Sequence, residues 1–134
     1  MVTIKLKASR SIEAQDDGVL YVLYMWHEDS LVVKVGVTKR DVTDRVVEIL
    51  LSYFHKYRVF PKLYPKRFRQ TDRVYKKEAM IHKYFEDKAY KFDKPFSGST
   101  EYFVGIEEDE LLIVYEDCLR GIDINADDYQ YCKN

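Results

Sequence analysis

Two residues on predicted helices have types and positions suited to phosphate chemistry. Glu78 falls between Val74, Ile81 and Phe85, at the centre of an apolar stripe with helical spacing. A carboxylate there is costly unless it is paired, either with a divalent cation or with a buried arginine in an internal salt bridge. Arg45 lies at the margin of another helical stripe and offers a planar fork that matches a phosphate. The alternative for Arg45 is a surface side chain whose stem covers the core.

A second group of candidates lies on or beside predicted strands. Tyr21 and Tyr24 fall on opposite faces of one strand, so that one can pack while the other reaches a site. A glycine permits close backbone approach, and polar residues near a helix start can contact an anion. The residues that cluster where the second strand leaves the sheet are Lys34, Gly36, Thr38, Lys39 and Arg40. Taken singly, each of these residues also suits an ordinary turn. His82 lies one helical turn after Glu78, and taken singly it suits a histidine of the core whose ring nitrogens are hydrogen-bonded within the protein.

Charge is segregated along a chain whose formal net charge is only -1. Residues 56–77 contain nine basic residues and one acid, whereas residues 101–134 contain ten acids and two bases, so one face can be strongly positive. Aromatic residues are interleaved with the cations, as in surfaces that bind single strands; the alternative is a solvated surface loop pinned by its aromatics. The basic candidates for nucleic-acid contact are Lys56, Arg58, Lys62, Lys66, Arg67, Arg69 and Arg73.

Periodicity predicts the elements that must position these residues. Residues 19–26 and 31–37 predict an antiparallel hairpin with about four turn residues. Asp41 predicts the start of a helix over about 42–55, and Pro61 and Pro65 exclude a regular helix through the basic stretch. The remaining predicted elements are a short strand at 2–7, a helix from Thr71 or Asp72 to about Lys88, a short strand at 101–104, and a helix at 109–119 that ends near Gly121.

This order predicts an α/β (α+β) fold with a small three-stranded antiparallel sheet flanked by helices. We expect an N-terminal extension at 1–17, a core at 18–104, and a C-terminal helix and acidic tail at 105–134 packed on that core. Cys118 and Cys132 fit no zinc spacing and indicate reduced thiols, and the longest apolar run is far shorter than the ~20 residues of a membrane helix. We therefore expect a cytoplasmic protein without a membrane partner.

Five short segments occur in order between residue 18 and about residue 104. They are Gly18-Val-Leu-Tyr-Val-Leu23, Val33-Lys-Val-Gly-Val-Thr38, Arg45 nine residues after Gly36, Glu78 within residues 75–85, and Phe96-Ser-Gly-Ser-Thr-Glu-Tyr-Phe103. Together they resemble the GIY-YIG nuclease superfamily, most closely the phage- and virus-encoded branch whose second motif reads Lys-Ile-Gly. The fold of that superfamily, a three-stranded antiparallel sheet flanked by helices, agrees with the order of the predicted elements.

The resemblance implies an endonuclease that hydrolyses phosphodiester bonds with one divalent metal. It implies that Glu78 holds Mg²⁺ or Mn²⁺, and that Arg45 neutralises charge on the phosphoryl group. It also implies that Tyr21 activates or orients the attacking water. Free tyrosine has a pKa of about 10, so Lys34 and Lys39 are candidate cations to assist it.

The chain departs from the family pattern at two places. Lys34 replaces the tyrosine of the second motif, so that either Lys34 takes over its role or the site is degenerate. The asparagine found late in many members has no clear counterpart, and Glu101 lies in about its region.

Three hypotheses follow: a metal-dependent endonuclease acting on DNA, with RNA as a second candidate target; a nucleic-acid-binding module that has lost cleavage; and a protein-interaction domain. Strong sequence specificity would require a homodimer or another partner, because no zinc finger or helix-turn-helix flanks the core.

Overall fold

The computed structural model describes residues 16–131. The predicted strand at 2–7, most of the predicted extension at 1–17, and Cys132 lie outside that range. The elements, in chain order, are β1 (Gly18–His27), β2 (Ser30–Thr38), α1 (Val42–Tyr57), β3 (Lys62–Thr71), α2 (Val74–Tyr84), a 3-10 turn (Glu86–Lys88), β4 (Ala89–Tyr90), β5 (Tyr102–Val104) and α3 (Glu108–Leu119). No helix in the described part of the chain is long and apolar enough to span a membrane.

The antiparallel hairpin of β1 and β2, which the apolar runs and the turn residues between them predict, forms the centre of the sheet. The two strands pair antiparallel from Val19 opposite Thr38 to His27 opposite Ser30. Only Glu28 and Asp29 lie between the strands, with φ of 48° and 68°. Two consecutive positive φ angles match the right-handed twist of the strands, so the turn is tighter than the four residues predicted.

The predicted α+β class is confirmed, but the sheet has five antiparallel strands, in the order β3-β1-β2-β5-β4, rather than three. The basic stretch predicted to be irregular contains the edge strand β3. Its Pro65 lies where the register with β1 shifts, and an edge strand tolerates a residue without an N–H. Mostly exposed side chains hid this strand from a prediction based on apolar alternation. The other strand that was not predicted is β4, which is only two residues long.

The central strands separate two hydrophobic clusters. Leu20 and Val22 pack with α2 and α3 on one face, whereas Tyr21 and Leu23 pack with α1 on the other. Tyr24 belongs to the first cluster, so the prediction that the two tyrosines of β1 lie on opposite faces is confirmed.

Two of the three helices begin and end close to the predicted residues, and α2 differs at both ends. The Asp41 carboxylate accepts a hydrogen bond from the Thr43 N–H at 2.7 Å, which caps α1 as predicted. In contrast, α2 begins at Val74 rather than at Thr71 or Asp72, because Thr71 is still paired with Gly18 in the sheet. Regular α-helix ends at Tyr84, and the predicted continuation to Lys88 is the 3-10 turn.

Helix α3 packs against the same face as α2. Leu111, Val114 and Cys118 are buried in the shared cluster. The Tyr115 hydroxyl donates to the Leu20 carbonyl at 2.6 Å, which ties α3 to β1. Gly121 has a φ of 86° and follows the helix, as the sequence predicts for its end.

Candidate active site

Tyr21 lies directly across the sheet from Gly36. A β-carbon added to Gly36 would stand 2.5 Å from the Tyr21 hydroxyl oxygen and 2.6 Å from its Cζ atom. The phenol ring therefore lies over the backbone of β2, in space that only a glycine leaves open. Burial raises the pKa of Tyr21, and the hydrogen bond and charge of Arg45 act in the opposite direction.

Arg45 is the cation that contacts Tyr21. It lies in the first turn of α1, and its Nε donates to the Tyr21 hydroxyl at 3.4 Å. The Glu48 carboxylate accepts from Arg45 at 3.4 Å and from Arg40 at 2.6 Å, so that one acid holds two arginines. Partial burial lowers the pKa of Arg45, but the contacts with Tyr21 and Glu48 outweigh it and keep the guanidinium charged.

Two residues that hold Arg45 in place were missed as candidates. Glu48 was detectable in principle, because it lies three residues after Arg45 on a helix. Gly98 lies in the predicted loop and has a φ of 87°, and a β-carbon there would stand 3.3 Å from Arg45 Nη2. It belongs to the Phe96–Phe103 segment, but its approach to Arg45 is long-range, so the local pattern does not indicate this contact.

Lys34 occupies the place of the second-motif tyrosine and is fully buried. Its ammonium donates to the Gly98 carbonyl at 3.0 Å and to the Thr100 carbonyl at 2.8 Å, and it lies 3.4 Å from the Glu101 carboxylate. It also lies 4.9 Å from the centre of the Tyr102 ring. Burial lowers the pKa of Lys34 to about 8. These contacts attach the 98–101 segment to β2 and hold Glu101 beside the sheet.

The backbone of Val35 forms an open edge of β2, because β5 pairs only with residues 32–34. The Val35 N–H donates to the Glu101 carbonyl at 3.2 Å, and the Val35 carbonyl lies 2.7 Å from His82 Nε2. A carbonyl can only accept, so Nε2 carries the proton and Nδ1 presents a lone pair. His82 is thus held by the sheet with one nitrogen available as a ligand.

Glu78, His82 and Glu101 meet at this edge. One ligand atom from each lies within 4.8 Å of those of the other two. Burial of Glu78 and the neighbouring Glu101 charge raise the pKa of Glu78 to about 7, while Lys34 lowers it. Among the described residues, no arginine acts on Glu78, unlike in the internal salt-bridge alternative. Two adjacent carboxylates and an imidazole nitrogen fit a divalent cation.

Thr38, Lys39 and Arg40, the predicted nucleic-acid contacts at the end of β2, flank this site and differ in their burial. Thr38 is buried, and its hydroxyl accepts from the Arg40 N–H at 3.1 Å, as in an ordinary turn. Lys39 and Arg40 are exposed. Lys39 lies 5.4 Å from the centre of the Tyr75 ring, and Arg40 is paired with Glu48.

The cations of β3 face away from Tyr21. Arg67 and Arg69 lie opposite Val22 and Leu20, on the face covered by α2 and α3. Two of the β3 cations contact acids of α3: Lys66 lies 3.5 Å from Glu108, and Arg69 lies 3.5 Å from Glu116. The basic and acidic regions of the sequence therefore meet in the fold. The β3 residue opposite Tyr21 is Phe68, whose side chain is largely exposed.

The remaining basic candidates are exposed at other positions. Lys56 and Arg58 lie at the C-terminal end of α1, and Lys62 lies opposite Trp26, toward the other end of β1 from Tyr21. Arg73 precedes α2 with a φ of 48°. The geometry therefore brings together Tyr21, Lys34, Arg45, Glu78, His82 and Glu101 around Gly36, and it distributes the other predicted contacts over several surfaces.

Comparison with known proteins gives one match. The model of the T5orf172 domain matches residues 18–119, a range that contains every residue of the cluster around Gly36. This domain is phage-associated and found in nuclease contexts, which suggests a nuclease-like or DNA-binding function. No curated protein and no solved structure matches the chain significantly. Because the match covers most of its length, the chain belongs to the T5orf172 domain family.

Proposed function

We propose that the chain is a metal-dependent endonuclease of the GIY-YIG type that hydrolyses phosphodiester bonds in DNA. The observation that carries this proposal is the convergence of Tyr21, Arg45 and Glu78 on the Val35–Gly36 edge of β2, from three different elements. A hydroxyl, a guanidinium and a carboxylate pair in one place are the groups that phosphoryl transfer requires. The family match supports the nucleic-acid part of the proposal.

Glu78 and Glu101 would hold the metal of this enzyme, with His82 as a third ligand. The two carboxylates suit Mg²⁺, and the added imidazole nitrogen suits Mn²⁺. When bound, the cation would supply charge stabilisation on the phosphate and its leaving oxygen. Lys34 holds Glu101 at the site and keeps the paired carboxylates from carrying two uncompensated charges.

Arg45 and Tyr21 bind the reacting phosphate from the α1 side of the sheet. Arg45 neutralises charge that develops on the phosphoryl oxygens, and Glu48 holds its guanidinium in that orientation. The Tyr21 hydroxyl orients the attacking water. Because burial raises its pKa, the hydroxyl keeps its proton at neutral pH and can orient the water through a hydrogen bond.

One observation favours a second candidate function, a nucleic-acid-binding module without cleavage. The ammonium of Lys34 is occupied by the Gly98 and Thr100 carbonyls, so it does not replace a tyrosine hydroxyl as a water-orienting group. In such a module the cluster around Gly36 would bind a phosphate without hydrolysing it.

The test is the nicking of supercoiled plasmid and the cleavage of branched DNA with Mg²⁺ or Mn²⁺. Wild type is compared with Glu78→Gln, which keeps the side-chain volume, and with Asp87→Asn, which removes an exposed carboxylate from the 3-10 turn. We expect wild type and Asp87→Asn to cleave and Glu78→Gln to be inactive. Inactivity of all three across substrates, with DNA binding that weakens as salt rises, would support the binding module instead.

A further inference from the structure

A second group of potential metal ligands lies at the far end of β1 from Tyr21. Its centre is His27, whose side chain is fully buried. The Nδ1 atom of His27 lies 2.6 Å from the Tyr53 hydroxyl. The Nε2 atom, in contrast, is buried without a hydrogen-bond partner. A buried polar nitrogen left unpaired costs about 1–3 kcal/mol, so its retention calls for a partner.

Two carboxylates lie beside this imidazole. Glu28, in the β1–β2 turn, and Asp93, in the segment before β5, each place an oxygen within 4.8 Å of a His27 ring nitrogen and of one another. Glu28 Oε2 lies 3.7 Å from His27 Nε2, which is too long for a hydrogen bond. Two ligands of a tetrahedral zinc ion, each about 2.1 Å from the metal, lie about 3.4 Å apart. The distance of 3.7 Å between Nε2 and Oε2 is therefore closer to that between two ligands of one cation than to that of a hydrogen bond.

We propose that His27, Glu28 and Asp93 form a binding site for a divalent transition-metal ion, with Zn²⁺ as the best fit. One imidazole and two carboxylates are three typical zinc ligands, and water completes a tetrahedron. Mg²⁺ and Ca²⁺ prefer shells built from oxygen alone, so a buried imidazole selects against them. Both carboxylates are exposed to solvent, which gives the ion a path to the buried nitrogen.

The surroundings of the three ligands fix their orientation. In the tautomer whose Nδ1–H donates to the Tyr53 hydroxyl, Nε2 has a free lone pair for the ion; outer-shell partners of this kind are usual for metal-binding histidines. The Tyr57 hydroxyl donates to Asp93 Oδ1 at 2.7 Å and accepts from the Lys94 N–H at 3.1 Å. The aromatic rings within about 6 Å of the imidazole are Tyr53, Tyr57, Tyr90 and Phe92.

The proposed ion has a structural role and lies apart from the candidate active site. Six residues separate His27 from Tyr21 along β1, which corresponds to about 20 Å in a strand. The ion would join the β1–β2 turn to the segment that continues from Asp93 to Gly98 and Glu101. Binding of the ion would thus stabilise the loop that contributes to the catalytic cluster.

The test measures Zn²⁺ affinity in a background where Glu78→Gln and Glu101→Gln remove the carboxylates of the other cluster. After treatment with EDTA, the full chain competes with a chromophoric chelator for Zn²⁺, and Co²⁺ absorption reports the geometry. Glu28→Gln with Asp93→Asn removes two exposed ligands without disturbing the core. The matched control is Asp127→Asn with Asp128→Asn, two exposed acids of the C-terminal segment.

We expect the background and the control to bind one Zn²⁺ per chain and to melt at a higher temperature when it is bound. The Glu28–Asp93 double variant should bind Zn²⁺ at least about 100-fold more weakly, since even outer-shell partners contribute about 10–100-fold. Tyr53→Phe tests that outer shell and should weaken binding by about 10-fold or more. Equal affinity in the double variant and its control, or no binding in the background, would overturn the proposal and leave His27 as a simple ion-pair partner of Glu28.

Discussion

The Tyr21 hydroxyl lies over the backbone of Gly36 with no room for a β-carbon between them. Gly36→Ala therefore forces the phenol ring to move from the position in which it contacts Arg45. We expect a loss of about 1–3 kcal/mol in stability from overpacking. We also expect a fall of about 100-fold or more in nicking rate, the usual cost of a misplacement of about 1 Å in an active site. Urea unfolding and plasmid nicking measure the two effects separately.

Gly105→Ala is the matched control for that variant. Gly105 has a φ of 74°, so alanine is strained there, but nothing lies within 4 Å of the added β-carbon. It should lose stability while keeping its nicking rate. Equal nicking by Gly36→Ala and wild type would show that the position of Tyr21 does not matter for catalysis.

The thermal stability of the metal-free protein should fall as pH rises through about 7. The folded-state pKa of Glu78, about 7, lies above its ordinary value of 4.5, so the folded state binds the extra proton. That contribution to stability is complete below the unfolded-state pKa and is lost as pH rises through the folded-state pKa. Mg²⁺ or Mn²⁺ should therefore raise the melting temperature more at pH 8 than at pH 5.5.

Glu78→Gln should reduce this pH dependence, because the amide does not titrate. Differential scanning fluorimetry of both proteins, with and without metal, provides the comparison. Glu78 does not control the pH dependence if metal raises the melting temperature equally at pH 8 and pH 5.5. The same conclusion follows if Glu78→Gln retains the full pH dependence of the melting temperature.

Phe68 should contribute to the binding of single-stranded or opened DNA next to the reacting phosphate. It is 57% exposed and lies opposite Tyr21, on the same face of the sheet. Stacking of a base on such a ring contributes about 1–3 kcal/mol, so Phe68→Ala should weaken single-strand binding by about 10-fold without lowering stability. Fluorescence anisotropy with a labelled oligonucleotide measures the affinity.

Tyr64→Ala is the control, because Tyr64 belongs to the same strand, is 48% exposed and lies opposite Tyr24 on the other face. It should bind single strands about as well as wild type does. If Phe68→Ala and Tyr64→Ala lose affinity for single strands equally, DNA does not bind preferentially to the face of β3 that carries Phe68.

Lys34→Met should destabilise the protein and slow cleavage together. The change leaves the carbonyls of Gly98 and Thr100 without their donor, at about 1–3 kcal/mol, and releases Glu101 from its cation. We expect at least a 10-fold fall in nicking at saturating metal, whereas Lys88→Met, at an exposed lysine of the 3-10 turn, should show neither effect. Wild-type nicking by Lys34→Met would mean that the 98–101 segment holds its position without this ammonium.

Much of the fold was predictable from local patterns. Two runs of β-forming residues around a turn signal identified the β1–β2 hairpin, and Asp41 marked the start of α1. The stripe of Val74, Ile81 and Phe85 identified the buried face of α2. These signals are local, because a strand or an amphipathic helix is encoded within about ten residues. β3 was missed because its pairing with β1 is long-range and its side chains are mostly exposed.

The candidate site was only partly predictable, for a related reason. Glu78 was identified because its neighbours on the same helix are apolar, and a carboxylate among them is costly to bury. The approach of Gly98 to Arg45, and the occupation of Lys34 by the 98–101 segment, depend on contacts across the fold. The basic stretch was predicted to be a free positive surface, whereas the cations of β3 face away from Tyr21 and α3 neutralises part of them.

The sequence by itself thus determined the α+β class, the central hairpin, the helices and the residue types available for phosphate chemistry. These depend on periodicity, capping and burial cost, which act between near neighbours. Only the tertiary structure decided that Glu78, His82 and Glu101 meet at the Val35 edge of β2, and that His27 faces Glu28 and Asp93. Such meetings depend on which strands pair and how far β5 extends, and these are set by the packing of the whole chain.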